Sequence, residues 1–186
     1  TQVLSSAASD VYKRQPIMMA LSAARGNKTP IIFVPSMHQD LFDDPVTSDL
    51  LEKISLEGNY YFVDSEKEGR RKQPSPVVIV SKLSNLINSF QENRRKVAIT
   101  LGATRAPIDS VRAIQNASSG KTGWAIAEYL FMMGHEVHCI AGKTSSNPSI
   151  ELPNIIRAGS PEEMLSESLS LVKIDVKPDV WIHSCL

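Results

Sequence analysis

Residues 96–142 read as a strand, a helix and a second strand in close order, and that alternation restricts the chain to few folds. KVAITLG is a short apolar run rich in β-branched residues, TGWAIAEYLFMMG has helical length and is closed by Gly134, and HEVHCIAG is a second apolar run. Two strands joined by a helical crossover lie parallel, and a parallel sheet needs cover on both faces. NIIRA, SPEEMLSESLSLV and DVWIHS continue the pattern as strand, helix and strand. Ser160 followed three residues later by Glu163 is a capping box that starts the second helix there. The expected fold class is α/β with parallel sheets.

The upstream part alternates in the same way. PIMMALSAARG has Pro16 at a helix start and Gly26 at its end. TPIIFVPS and NYYFVDS read as strands. Between them DPVTSDLLEKISLEG places Val46, Leu50, Leu51 and Ile54 at helical spacing, closed by Gly58. EKEGRRKQPS reads as a charged loop, and PVVIVSKLSNLINSF as a helix with Val80, Leu83, Ile87 and Phe90 on one face. QENRRK is a polar connector, which puts a domain boundary between residues 91 and 92. In the second part, IDSVRAIQ reads as a short helix. Residues 1–15, TQVLSSAASDVYKRQ, are polar, lack a hydrophobic stretch of signal-peptide length and are set aside as a non-native leader. KPDVWIHSCL reads as a strand just completed, so the chain is expected to be a fragment.

Charge excludes several function classes. Lys plus Arg and Asp plus Glu are both 20, so the formal net charge is zero, which argues against an electrostatic footprint for nucleic acid or a membrane surface. No apolar run reaches membrane-spanning length. Cys139 and Cys185 are the only cysteines and lack CxxC spacing, which argues against a disulfide framework or a zinc site. Cys139, inside an apolar strand, reads as a buried free thiol suited to a reducing cytoplasm. His135, His138 and His183 have no metal-ligand spacing and read as structural, so no metal site is expected.

The stretch QNASSGKTGW resembles the end of a P-loop, but its spacing fails. A P-loop has its first glycine five residues before the second, and Gln115 stands at that place relative to Gly120. Residues 104–115 also separate the preceding strand from the turn. Two readings remain. One is a flexible Ser/Gly turn before a surface helix. The other is a phosphate cradle of a different type, in which Ser118, Ser119 and Gly120 present backbone N–H groups at a helix start. A nicotinamide-binding Rossmann oxidoreductase is the alternative function, because LGATRAP loosely resembles the start of short-chain reductases. Against it, the glycines come too late after the first strand, and HCIAGKT ends in Gly142-Lys143 where an acid is needed. A binding remnant without catalysis is the third reading.

Residues 96–146 carry a longer match. Thr100, Gly102, Thr104, Pro107, Ile108 and Asp109 are followed by Val111, Arg112, Ile114, Asn116, Ser118, Ser119, Gly120 and Gly123. This series resembles the start of phosphopantothenate–cysteine ligase, the synthetase half of the bifunctional coenzyme A biosynthesis flavoproteins. Upstream, Pro35-Ser36-Met37-His38 followed by Phe42 and Pro45 resembles the end of the flavin-dependent phosphopantothenoylcysteine decarboxylase half, with His38 where that family usually has asparagine. The resemblance implies the end of a flavodoxin-like or Rossmann-like FMN domain over residues 16–91, then the start of a Rossmann-like parallel-sheet ligase domain over 92–186.

That resemblance also implies chemistry. The ligase half uses CTP, with Mg2+, to activate 4'-phosphopantothenate as an acyl-cytidylate that cysteine then captures. The decarboxylase half uses FMN on the product, phosphopantothenoylcysteine. Asn116 and His38 are the implied catalytic residues, and Gly102, Thr104, Ser118, Ser119, Gly120 and Lys121 the implied nucleotide-binding ones. Asp109 and Arg112 are read as a pair that shapes the loop. A cytoplasmic homo-oligomer is implied for the full-length enzyme. The proton-donating cysteine of the decarboxylase flap is missing from DSEKEGRRKQPSP. Most FMN contacts and the ligase's lysine-rich strand are expected beyond the two ends, so this chain alone is expected to catalyse neither reaction.

Overall fold

The computed structural model describes residues 16–63, 66–67, 70–71, 73–173 and 177–185. The leader assigned to residues 1–15 lies outside them. Contacts divide the chain into two compact units between Ser75 and Pro76.

In the first unit, helix α1 (16–26) precedes β1 (Ile32–Phe33), β2 (Met37–His38), α2 (Gln39–Phe42) and α3 (Pro45–Leu56). Three more two-residue strands follow, β3 (Tyr60–Tyr61), β4 (Glu66–Lys67) and β5 (Arg70–Arg71). The side chain of Asp44 accepts a hydrogen bond from the Val46 N–H at 2.8 Å and Pro45 opens the helix, so α3 starts where local chemistry favours it. β1 and β3 pair in parallel, as their apolar runs predict. The charged segment from residue 66 differs from the loop expected. Its backbone forms two antiparallel pairings, β4 with β5 and β5 with β2. Backbone groups need partners whatever the side chains are, and pairing on a neighbouring strand supplies them.

The second unit holds α4 (Pro76–Asn88), β6 (Lys96–Leu101), β7 (Arg105–Pro107), β8 (Ala113–Gln115) and α5 (Lys121–Met132). After them come β9 (Glu136–Gly142), β10 (Asn154–Ala158), α6 (Pro161–Lys173) and β11 (Val180–Ser184). Four strands make one parallel sheet in the order β10-β9-β6-β11. Side chains alternate across it. Val97, Ile99, Leu101, Val137 and Cys139 pack with Trp124 and Ala127 of α5, while Ala98, Ile140 and Ala158 pack with Met164 and Leu171 of α6. The helices therefore cover opposite faces, as a sheet apolar on both sides requires. Ser160 accepts from the Glu163 N–H at 3.1 Å, and the Glu163 carboxylate reaches back to the Gly159 N–H at 2.6 Å, so the expected cap forms with its return bond one residue earlier. Among the described residues, no helix is long and apolar enough to cross a membrane.

Two elements differ from expectation. The segment 108–115 is no helix; β7 and β8 form an antiparallel hairpin. Asp109 decides this locally. Its carboxylate accepts from the Val111 and Arg112 N–H groups and pairs with the Arg112 guanidinium at 2.7 Å, which closes a turn. The two backbone N–H groups and the guanidinium hold the Asp109 carboxyl below the usual range. The second difference is α4. Its apolar face is outward, with Val80 56% and Ile87 60% exposed. It docks on α5 through its polar face, where the Asn85 and Asn88 amides donate to the carbonyls of Phe131 and Met132 at 2.7 and 2.8 Å. Carbonyls at the end of a helix lack partners within it, and these amides supply them.

Both cysteines are free, Cys139 buried and Cys185 half-buried. Burial pushes the Cys139 thiol up to about 12. A thiol held neutral in the fold but ionised when unfolded leaves stability intact below the ordinary value. That contribution is then lost between pH 9 and about 12. We predict that an aromatic disulfide reagent at pH 8 titrates Cys185 in the native chain and reaches Cys139 only after denaturation. Rapid reaction of both thiols in the native state would contradict this packing.

Candidate functional site

In the second sheet β6 is followed outward by β9 and β10 on one side and by β11 on the other, so strand order reverses between β6 and β11. Open α/β sheets bind ligands at the carboxyl ends of the strands flanking such a point. A cavity of about 390 Å³ opens there, lined by residues 118–122 and 183–185. The first wall is the turn into α5 and the second is the carboxyl end of β11.

The turn is built by two glycines. Gly120 is the residue before α5, with φ 74° and no side-chain cap, and Gly102 follows β6 with φ 81°. Left-handed backbone of this kind favours glycine. The two also pack on each other, since a Cβ on Gly120 would lie 3.2 Å from the Gly102 Cα and 3.0 Å from a Leu101 methyl. The first N–H groups of α5 thus meet no capping side chain at the cavity, and helix N-termini favour anions. Lys121, the first helical residue, is exposed on the same wall.

Asn116 lies beside this wall without lining the cavity. Its Oδ1 accepts from the Thr104 N–H at 3.1 Å. A backbone N–H must face oxygen, so the amide orientation is determined and the Nδ2 hydrogens are the donors left for a ligand. Structure therefore brings together Asn116 with Thr104, Gly102 with Gly120, and Ser118, Ser119, Gly120 and Lys121 along one wall. It leaves His38 in the first unit, exposed at the end of β2 and just before α2. A cavity of about 450 Å³ in the first unit is lined by Arg25, by residues 28–30 and by residues 57–59, and not by His38.

Sequence reasoning missed the second wall. His183, expected to be structural, lines the cavity, and its Nδ1 lies 2.9 Å from the buried Thr100 hydroxyl. That hydroxyl also lies 3.1 Å from the Cys185 Sγ. The signal available was position, because residues at the end of a strand beside the reversal point face the ligand crevice. The other two histidines expected to be structural have local partners: the His135 Nδ1 accepts from the Arg95 N–H at 3.1 Å, and His138 pairs with Glu136 at 2.9 Å. No group of three or more His, Cys, Asp or Glu suited to a metal occurs among the described residues.

A dinucleotide site fits this geometry poorly. The chain leaving β6 enters the β7–β8 hairpin before it reaches α5, and β9 ends at Gly142 without an acid. Residues 92–182 match the family of the DNA/pantothenate metabolism flavoprotein C-terminal domain. Over those residues the chain is similar to this family. It is 37% identical over 145 residues to the coenzyme A biosynthesis bifunctional protein CoaBC of Thermococcus kodakarensis, a match covering 78% of this chain and 36% of that protein. It is 31% identical over 178 residues to the CoaBC of Haemophilus influenzae, covering 90% of this chain and 44% of the relative. The chain thus spans less than half the length of either. The solved C-terminal domain of a CoaBC is 35% identical, with TM-score 0.43 over 52% of this chain and 46% of that one.

Proposed function

We propose that this chain is the junction segment of a bifunctional coenzyme A biosynthesis enzyme that acts in the cytoplasm. On this reading residues 16–91 end an FMN-dependent phosphopantothenoylcysteine decarboxylase part and residues 92–186 begin a phosphopantothenate–cysteine ligase part, with α4 a connecting helix packed into the second unit. The observation that carries the proposal is the cavity at the strand-order reversal, walled by an uncapped helix N-terminus.

The ligase reaction sets the demand on that wall. The carboxylate of 4'-phosphopantothenate attacks the α-phosphorus of CTP, pyrophosphate leaves, and the amine of cysteine then displaces CMP from the acyl carbon. N–H groups of Ser118, Ser119 and Gly120 hold the phosphates, Lys121 offsets part of their charge, and the Asn116 Nδ2 donates to the acyl phosphate. Gly102 and Thr104 hold this wall in place from behind, through Gly120 and Asn116. Mg2+ would be held mainly by the triphosphate itself, which is how this ion commonly binds, and would offset phosphate charge. In the decarboxylase part His38 hydrogen-bonds the substrate carboxylate. FMN, when bound to that part, supplies the redox chemistry that makes loss of carbon dioxide easy.

Gly120→Val tests the reading. Calorimetric titration of the chain with CTP is expected to show binding, with NADPH giving none. Gly120→Val is expected to weaken CTP by at least about tenfold, because the branched side chain meets Leu101 and Ser145 and displaces the phosphate-facing backbone. Unchanged CTP affinity in a folded Gly120→Val chain would remove the assignment.

A further inference from the structure

Resting on the phosphate reading above, we propose that Arg157 is a positioning residue for the bound phosphates, acting through Ser145. Arg157 lies on β10, paired with Ala141 of β9, outside every motif in the sequence. Its Nη1 donates to the Ser145 Oγ at 2.7 Å and to the Gly142 and Ser145 carbonyls at 3.3 Å each. Its Nη2 donates to the Asn147 Oδ1 at 2.7 Å. The guanidinium carbon sits 5.2 Å from the Trp124 ring centroid, and the Trp124 Nε1 donates to the Ser146 carbonyl at 2.7 Å. Among the described residues no carboxylate pairs with Arg157 within ion-pair distance. One cation therefore holds residues 142–147 by its rigid fork of donors.

That loop ends on the cavity wall. The Ser145 Cβ lies 2.5 Å from where a Gly102 Cβ would stand and 3.1 Å from where a Gly120 Cβ would stand, so Ser145 is a wedge against both left-handed turns. The next residue, Ser146, donates from its N–H and its hydroxyl to the Ser119 carbonyl, each at 3.0 Å. Bonding the Ser119 carbonyl from behind orients the peptide plane that it shares with the Gly120 N–H. The chain of contacts thus runs from Arg157 through Ser145 and Ser146 to the backbone donors of the cavity. Preorganised donors bind an anion without paying for their own ordering.

Trp124 provides the readout. In a Trp181→Phe chain it is the remaining tryptophan of the two, and its emission is followed on titration with inorganic pyrophosphate and, separately, with CTP. Both ligands are expected to give a saturable change. Arg157→Ala is expected to weaken both by about tenfold, the loss of one charge-assisted contact. Ser145→Ala is expected to weaken both in the same direction, and the double variant to bind no worse than Arg157→Ala, since the two act in one chain. Wild-type affinity in folded Arg157→Ala overturns the inference and leaves the cavity reading standing. If Arg157→Ala fails to fold, unchanged affinity in Ser145→Ala overturns it instead. No response of the parent chain to either ligand removes the cavity reading and this inference together.

Discussion

Gly142→Ala is expected to lower the melting midpoint of the second unit by at least about 10 °C, from a loss of about 3 kcal/mol or more. Gly142 is the last residue of β9, and an alanine Cβ there would overlap the carbonyl group of Ala103. Neither side can yield cheaply. Gly142 is held by strand pairing to Ala158, and its carbonyl accepts from the Ser145 N–H and the Ser145 hydroxyl. Ala103 leads from β6 to Thr104, whose N–H is held by Asn116. A backbone–backbone overlap thus pushes apart the sheet and the loop that carries the cavity wall. Thermal melts followed by circular dichroism, with Gly26→Ala as a control where the added Cβ meets nothing within 4 Å, measure the difference. A Gly142→Ala midpoint within about 2 °C of the control would show that the loop after β6 does not cross β9 this closely.

Asn116→Asp is expected to cut ligase turnover by at least about thirtyfold while leaving the fold intact, the effect of a lost polar stabiliser worth ~2–4 kcal/mol. The substitution keeps an oxygen for the Thr104 N–H, so the local bond survives. What changes is the other end of the amide. Two N–H donors become a second carboxylate oxygen, which repels an acyl phosphate instead of binding it. The comparison is made in a ligase-active protein that carries this segment, by cysteine-dependent pyrophosphate release, with Asn116→Ala beside it. Aspartate is expected to be worse than alanine, because alanine only removes the donor. Near-normal turnover with aspartate would reduce Asn116 to a residue that shapes the turn.

Much of the second unit was legible because its elements are locally self-consistent. The apolar runs of β6, β9, β10 and β11 carry the β-branched residues of buried parallel strands, and α6 begins at a cap written in Ser160 and Glu163. The turn from Ser118 to Lys121 was legible as a helix start for the same reason, with Gly120 in left-handed backbone just before α5. The segment 108–115 was not. VRAIQ has helical composition, yet the Asp109 carboxylate captures the two following N–H groups and the chain turns back into a hairpin. A strong side-chain-to-backbone bond outweighed a weak propensity.

The sequence by itself determined the alternation of strands and helices, the glycines at the two left-handed turns and the family motif from Thr100 to Gly123, because each of these depends on residues close together in the chain. Only the tertiary structure decided which distant residues meet. Strand order β10-β9-β6-β11 brings the end of β11 to the α5 turn, so His183 and Cys185 face Ser118 across sixty-five residues of chain or more. The same order carries Arg157 to the loop behind Gly102 and Gly120. It is also docking, not periodicity, that turned the polar face of α4 inward, where the Asn85 and Asn88 amides donate to the carbonyls that end α5. Such pairings depend on sheet order and on which backbone groups are left unsatisfied, and neither is encoded in the spacing of residues along the chain.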